Sequence, residues 1–447
     1  VTPAAVVVGA GWAGLAAAVG LSERGWPVTL LDAAPQPGGR ARSLALRLDA
    51  HTTIDVDNGQ HLLIGAYRAT LGLLHRIGVA PGSVLDAAPL ALLGPDGFEL
   101  RAARLPAPLN LIVGLLRARG LSWPERLALT RALAPLALGA DRRIRPGTLV
   151  ADWLAANRQP ERLVERLWTP LCVGALNTPL EAACARAFAR VLRDALLAGT
   201  RDSDFLLPRS TLGDVLPEPA CAWLRARGAQ VRLRTAARRL ARDPDGRWRV
   251  VLDDAELQAD RVVLAVPPPR IAALLSGEVP AARLAPFEAF EHEPIATVWL
   301  AWRESLDLPA TVMLRERPDA LEHGQWLFGR TAPDTGQVGA VAGVVVSTAG
   351  RHAGDAQALA DGVARQVSVQ LGLPPPAHAR AIVERRATIR CTPGRPRIEV
   401  DGLADVAPGL ALAGDWTWHA YPATIESAVR SGDAAATWLA TGTAIRP

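Results

Sequence analysis

At 447 residues, 49% of them apolar and 21% charged, the chain can bury the cores of two or three domains, which excludes disorder over most of its length. No apolar stretch approaches the ~18 uninterrupted residues of a membrane span, so an integral membrane protein is excluded and a surface-bound one is not. The net charge of +5 comes from 49 arginines, with no lysine, dispersed among 44 acids, which argues against a nucleic-acid binder.

Residues 6–9 form a short β-branched run that reads as a buried strand. Helical spacing over 13–24 and a second short strand at 28–31 complete a βαβ unit. Residues 86–204 are rich in Leu, Ala and Arg, with helix-like spacing over 123–138, 162–173 and 182–198. Strands follow at 231–234, 247–252 and 261–266, the last stopped by Pro267, Pro268 and Pro269. Strand-like runs at 295–302, 311–314, 325–329 and 340–347 precede a helix at 355–371. A last strand, 410–413, leads into Gly414-Asp415 and a helix at 423–439.

Nucleotide-binding elements thus fall into three separate blocks. The expected fold is α/β: a Rossmann-type dinucleotide domain assembled from discontinuous segments 1–85, 205–280 and 389–447. An inserted α+β substrate domain takes a helical part from 86–204 and a sheet part from 281–388. The four cysteines, Cys172, Cys184, Cys221 and Cys391, lack CxxC and zinc-like spacing, so free thiols and no metal site are expected. Apolar residues begin at once with residues 4–8, with no signal-peptide pattern before them, which points to the cytoplasm.

Gly9-Ala10-Gly11-Trp12-Ala13-Gly14 is a GxGxxG directly after a strand and at the opening of a helix. Gly9 makes the tight turn, Gly11 lets the backbone approach a pyrophosphate, and Gly14 lets helix and strand pack closely. Helix N-terminal amides, at Trp12 and Ala13, face the phosphate charge. Asp32 ends the second strand 18 residues after Gly14, with Ala33 beside it, where a carboxylate can accept from ribose hydroxyls. Within ten further residues, Gly39, Arg40 and Ala41 offer amides and a guanidinium to a second phosphate. That second turn favours FAD over NAD.

Three more segments accompany these: Asp57-Asn58-Gly59-Gln60-His61, Ala265-Val266-Pro267-Pro268, and Gly414-Asp415 leading to Pro422-Ala423-Thr424-Ile425-Glu426. Together, over the whole chain, they resemble the FAD-dependent desaturase and amine-oxidase superfamily, including its phytoene-desaturase-like members. The resemblance implies that Asn58, Gly59, Gln60 and His61 lie at the flavin. It places Gly414 and Asp415 at the pyrophosphate and ribityl chain, Ala423, Thr424 and Ile425 near the pyrimidine end, Ala265 on the AVPP-like strand, and Ala237 beside the adenine.

Longer segments are more specific. Residues 57–67, 168–178, 191–194 and 203–208 resemble the squalene-associated FAD-dependent desaturases, the hydroxysqualene dehydroxylases. The implied activity is FAD-dependent reductive dehydroxylation of hydroxysqualene to squalene, in bacterial squalene and hopanoid synthesis. Replacing an allylic hydroxyl with hydrogen needs an acid for the departing water and a hydride for the carbon, which reduced flavin donates.

His61 is the first candidate for that acid, or for positioning it; equally, it hydrogen-bonds only flavin or backbone. Tyr421, Asp204 and His419 are further candidates, whereas Glu426 reads as structural or FAD-binding. Cys172 is expected to line the pocket. Arg390-Cys391-Thr392-Pro393 does not resemble a flavin attachment sequence, so noncovalent FAD is expected.

Residues 106–119 are apolar with a basic end, Arg117 and Arg119. They suit either an interfacial helix, through which a C30 isoprenoid substrate leaves the bilayer, or an ordinary core helix. The first reading puts the protein peripherally at the inner face of the cytoplasmic membrane. No second GxGxxG follows a strand, so the electron donor is unidentified.

Two enzymatic alternatives and one non-enzymatic one remain beside this reading. An amine oxidase, by the resemblance, would use a lysine that this chain lacks and an aromatic pair, where the only tyrosines are Tyr67 and Tyr421. An oxidative carotenoid-type desaturase would share FAD and an apolar tunnel, and is the main alternative. A flavin-binding carrier of prenyl substrates is the third.

Overall fold

The first strand, Ala5–Val8, sits at the centre of a five-stranded parallel sheet. Val28–Leu31 and Arg261–Leu264 flank it, and Gln230–Arg232 and Leu410–Leu412 form the edges. The computed structural model describes residues 2–106, 108–196, 199, 201–331, 337–351, 354–443 and 445. All four residues of the central strand are buried, as a parallel sheet covered on both faces requires. Alternate residues face opposite layers. Ala5 and Val7 pack with the helices Trp12–Glu23 and Ile425–Thr441, while Val6 and Val8 pack with Trp248, Ile271 and Phe287.

The two helices on the first face approach closely: a Cβ on Gly432 would stand 2.1 Å from the Ala13 carbonyl oxygen. The second face carries a three-stranded antiparallel sheet, Arg239–Arg242, Trp248–Val251 and Glu256–Ala259, together with the helix Pro268–Leu275.

A second five-stranded sheet is antiparallel throughout, in the order Thr311–Met313, Trp326–Arg330, Ala340–Val346, His292–Trp302 and His378–Ile389. The helix Ala356–Leu371 covers one face through Leu359, Val363 and Val367. Trp326 and Phe328 point the other way, into a core shared with the helical region of residues 109–196. The strands and helices of the dinucleotide unit thus alternate as expected, and the fold is α/β with its elements drawn from distant parts of the chain.

Three departures have physical causes. The helix expected over 162–173 is broken into Glu161–Leu163, a wide turn of π-helix at Val164–Trp168, and Thr169–Leu176. Pro170 supplies no amide to the preceding turn, and the backbone widens there. The helix expected over 182–198 spans Ala185–Leu196; residues 197 and 198 lie outside the described residues. The long strand His378–Ile389 has no counterpart among the expected elements. Its sequence, HARAIVERRATI, lacks alternation, and its register is set by pairing with His292–Trp302.

Candidate active site

The carboxyl ends of Ala5–Val8 and Val28–Leu31 open into a cavity of about 860 Å³ that runs between the parallel sheet, the second sheet and the helical region. Its first half is the glycine turn. Gly9 has φ +108°, and a Cβ there would meet the Ala265 oxygen at 2.3 Å, so only glycine is accommodated. Gly14 does not line the cavity; a Cβ on it would stand 1.8 Å from the Gly9 oxygen, and its absence brings helix and strand together.

No side chain caps the helix Trp12–Glu23, which leaves its first-turn amides directed at the cavity. Asp32 holds this loop in shape. Its carboxylate accepts from the amides of Ala10 (2.6 Å) and Ala34 (2.7 Å).

The Gly-Gly-Arg turn folds back onto the first. Gly38 donates to the Ala10 carbonyl at 2.8 Å, and a Cβ on Gly39 would reach within 3.2 Å of the Gly11 Cα. The two turns thus form one cradle that added methyl groups would fill. Arg40 closes it: its Nη2 donates to both carboxylate oxygens of Asp415, each at 2.7 Å, and its Nη1 donates to the Ala387 carbonyl at 2.6 Å.

Twenty of the twenty-one cofactor candidates line this one cavity, from Gly9, Gly11, Trp12, Ala13, Asp32 and Ala33 through Gly39, Arg40, Ala41 and the run Asn58–His61 to Ala237, Ala265, Gly414, Asp415, Ala423, Thr424 and Ile425; Gly14 is the exception. Such a donor set suits a flavin dinucleotide: amides and a guanidinium for two phosphates, a carboxylate at the second strand, and small residues where a flat ring system must lie.

Beyond the run Asn58–His61 the lining includes an apolar group, Leu171, Phe188, Leu192, Phe205, Trp326 and Phe328. Polar atoms there are few, and most are engaged. Asn177 donates to Glu293 O and Thr388 Oγ1 and accepts from the Thr348 amide. Glu426 accepts from the Ala69 and Thr70 amides and from Arg430, so it caps the helix Arg68–Arg76; its role is structural.

Two lining residues, His61 and Tyr421, keep acceptor lone pairs. His61 Nδ1 lies 2.6 Å from the Gly59 carbonyl, which can only accept, so Nδ1 carries the hydrogen. Burial holds the His61 imidazolium below the usual value of 6.5, and the Arg40 charge adds to the effect. The ring is therefore neutral, and Nε2 is a lone-pair acceptor. Tyr421 donates its hydroxyl to Asp194 Oδ2 at 2.5 Å, so its oxygen too offers lone pairs. Burial and the Asp194 carboxylate push that phenol up to about 12.

These arrangements correct several expectations. With its Nδ1 on the Gly59 carbonyl, His61 offers Nε2 as an acceptor when neutral, and an acid role would require that nitrogen to be protonated against the effect of burial. Asp204 does not line the cavity: its neighbour Phe205 takes the inward position, while the Asp204 carbonyl accepts from Gly65 in a turn. His419 is also outside the lining and pairs with Glu399 at 3.2 Å. Cys172 is buried in the helical core, 3.7 Å from the Thr178 carbonyl, instead of lining the pocket. Cys391 likewise is buried away from the cavity. Asp194 and Trp326 carried no assigned role in the sequence, although the alternation Trp326, Phe328 marks an inward face of a strand.

Residues 12–439 match the family described as flavin containing amine oxidoreductase. The chain belongs to this family. Among characterised relatives it is 32% identical to the hydroxysqualene dehydroxylase of Rhodopseudomonas palustris, over 96% of both chains. The 15-cis-phytoene desaturase of Solanum lycopersicum is 26% identical over 59% of this chain and 46% of its own. Among solved structures, the cyclohexylamine oxidase of Brevibacterium oxydans superposes with a TM-score of 0.68 at 17% identity, covering 99% of each chain, which shows the fold alone.

As a member of the flavin-containing amine oxidoreductases, the protein is a flavin-dependent oxidoreductase. Its site departs from the amine-oxidising pattern in lacking any lysine. Both tyrosines, Tyr67 and Tyr421, line the cavity, and Trp326 and Phe328 stack at 6.3 Å on its apolar wall. Among the described residues no helix is long and apolar enough to cross a membrane.

Proposed function

We propose that the protein is a hydroxysqualene dehydroxylase that holds FAD noncovalently and replaces the allylic hydroxyl of a C30 isoprenoid with hydrogen. The full-length similarity to a hydroxysqualene dehydroxylase supports this reading. The single observation that carries it is a lining that is apolar over Leu171, Phe188, Leu192, Phe205, Trp326 and Phe328 and also includes His61 and Tyr421, whose Nε2 and Oη keep lone pairs free. An alcohol supplies one hydrogen, enough for one of these acceptors. A pure hydrocarbon would supply none and leave His61 Nε2 without a donor, at about 1–3 kcal/mol.

In this reading the glycine cradle and Arg40 bind the two phosphates, and Asp32 orients the ribose. Bound reduced flavin supplies the hydride. Reaction of the alcohol with one hydride and one proton releases the deoxygenated hydrocarbon and one water. The chain's own residues orient the hydroxyl through Tyr421 and His61, keep bulk water from the allylic carbon with Leu171, Phe188 and Phe328, and hold the Tyr421 hydrogen on Asp194. Segments 1–85, 205–280 and 389–447 form the FAD-binding domain in this scheme, and 86–204 and 281–388 the substrate domain. The electron donor is a separate, unidentified component, and the protein works peripherally at the inner face of the cytoplasmic membrane.

Oxidative desaturation of a carotenoid-type hydrocarbon is the second reading, favoured by the partial similarity to a phytoene desaturase. An anaerobic single turnover separates the two. Photoreduced protein is mixed with hydroxysqualene while flavin absorbance and extracted product are followed. Reoxidation with stoichiometric squalene is expected; no reoxidation, with bleaching of the oxidised protein by a polyprenyl hydrocarbon, would overturn dehydroxylation in favour of desaturation.

A further inference from the structure

Ten large apolar side chains are exposed among the described residues, and seven of them lie between Leu105 and Leu138: Leu105, Leu109, Ile112, Leu116, Trp123, Leu127 and Leu138. They belong to two neighbouring helices, Leu109–Arg117 and Trp123–Ala137, and their flanks. The first helix is apolar all round. Asn110, Leu111, Gly114 and Leu115 face the core, while Leu109, Ile112 and Leu116, at i, i+3 and i+7, face outward. A helix apolar on every side ordinarily belongs inside a protein or against lipid. Here one side is uncovered.

The exposed charges of this segment are all positive, and Arg119 also pairs with the neighbouring Glu99 at 3.7 Å. Residues 102–147 contain eight arginines and two acids. Both acids, Glu125 and Asp141, are buried, held by Arg162 and Arg193. Seven of the arginines, Arg104, Arg117, Arg119, Arg131, Arg142, Arg143 and Arg145, are exposed. The segment's excess of six positive charges exceeds the +5 of the whole chain, so the remainder is slightly acidic.

The eighth arginine makes the two helices one unit. Arg126 donates to the carbonyls of Leu115 (2.6 Å) and Ala118 (2.7 Å), at the end of the first helix, from the first turn of the second. Its guanidinium also lies 5.1 Å from the Trp123 ring centroid, and that indole is 72% exposed. An amphipathic indole beside cations is the composition of a membrane–water interface.

We infer that this face docks on an anionic lipid bilayer, the exposed apolar side chains entering the acyl boundary and the seven arginines meeting headgroup phosphates. A second copy of the chain is the poorer occupant, because a twofold contact would set like charges against each other. The surface also lies over the substrate chamber. One core cluster holds the inner faces of both helices, through Leu111, Leu115, Leu129 and Leu133, and the chamber-lining Leu90, Leu92, Phe188 and Leu192. The proposal deepens the isoprenoid reading by naming the face through which a lipid-soluble substrate arrives.

Flotation of the flavin-loaded protein with vesicles tests it. Vesicles of phosphatidylcholine alone are compared with vesicles of phosphatidylcholine and phosphatidylglycerol in equal parts, at low and high salt. The protein should float with the anionic vesicles, and salt should weaken binding. Arg117→Gln with Arg131→Gln and Arg142→Gln should weaken it by about 100-fold, at roughly fivefold per charge. Leu109→Ser with Leu116→Ser and Leu127→Ser should weaken it by about tenfold or more. Both variants should keep their flavin, because none of these side chains enters the core or the cavity. Binding to neither vesicle, or equal binding by wild type and both variants, would overturn the proposal. So would a dimer that these substitutions dissociate in the absence of lipid. Vesicle binding is measured without substrate, so it and the dehydroxylase reading can fail separately.

Discussion

The Tyr421 hydroxyl donates to Asp194 across 2.5 Å, joining the loop before the last long helix to the helix Ala185–Leu196. Asp194 is held in turn by Arg193 at 2.8 Å, and the Arg190 and Arg430 guanidiniums lie 5.6 and 5.8 Å from the Tyr421 ring centroid. The phenol is thereby fixed as a donor toward protein and an acceptor toward the chamber. Tyr421→Phe removes only that oxygen. It should keep flavin and lower kcat/KM for hydroxysqualene by about tenfold, the loss of a hydrogen bond worth ~1.4 kcal/mol. Steady-state kinetics beside flavin content checks this; unchanged kinetics would remove Tyr421 from substrate recognition.

His61 gives a pH dependence of known sign. Protonation of Nε2 turns an acceptor into a donor, and burial lowers the folded pKa from 6.5. Turnover should hold above pH 6.5 and fall along an acid limb centred below it. Stability moves in the same direction. Between the lowered folded value and 6.5 the unfolded chain binds a proton that the folded chain does not, so stability is lost as pH drops through that window. His61→Ala should retain flavin, lower turnover by at least about tenfold and lose the limb. A limb centred above 6.5 in the wild type would contradict the neutral assignment.

Asp57 and Arg330 form a buried pair beneath the flavin loop, 3.5 Å apart, with Asp57 also accepting from the Leu212 amide at 2.7 Å. Burial pushes the Asp57 carboxyl up to about 6 despite the guanidinium beside it. Removing one partner strands the other charge. Asp57→Ala should therefore cost about 3–5 kcal/mol, measured by denaturant unfolding. The double substitution Asp57→Leu with Arg330→Met should recover much of that loss.

At Gly9 the φ of +108° and the 2.3 Å approach to Ala265 O leave no room for a methyl group. Gly9→Ala should yield protein with little or no flavin and a lowered Tm. Gly78→Ala supplies the comparison: its φ is +80°, but a Cβ there meets nothing within 4 Å, so it should cost only the backbone strain of about 1–2 kcal/mol and leave flavin bound.

Flavin should leave the protein on acid precipitation and colour the supernatant, since Cys172 and Cys391 are buried outside the cavity. Cys391→Ser should bind flavin like the wild type. A colourless supernatant over a yellow pellet would reverse the noncovalent assignment.

Most of the parallel sheet was legible because strands such as Ala5–Val8, Arg261–Leu264 and Leu410–Leu412 are short apolar runs soon closed by glycine or proline, and each signal is local. Gly9, Gly11 and Gly14 announce their turn for the same reason: a backbone that must bend or approach closely tolerates few other residues. The chamber was far less legible. Trp326 and Phe328 come from the second sheet, Phe188 and Leu192 from a helix, and no spacing in the sequence records that they meet. His61 was found by its place after the Asp-x-Gly segment, but its protonation state depends on the Gly59 carbonyl and on burial, neither of which a sequence displays. Asp204 was a candidate in sequence and Asp194 was not; the turn in which Gly65 donates to the Asp204 carbonyl leaves Asp204 outside the cavity that Asp194 lines.

Arg40 and Asp415 lie 375 residues apart, and their bridge joins the second glycine turn to the loop that follows the edge strand Leu410–Leu412. That contact can form only after residue 415 has left the ribosome. If the bridge closes the flavin cradle, flavin loading is expected to wait until then, and yellow colour would report that synthesis has passed residue 415. Fragments released early would stay colourless, with the unclosed glycine turns exposed to proteolysis. Pulse-labelling followed by flavin capture would show acquisition of the cofactor lagging behind chain completion.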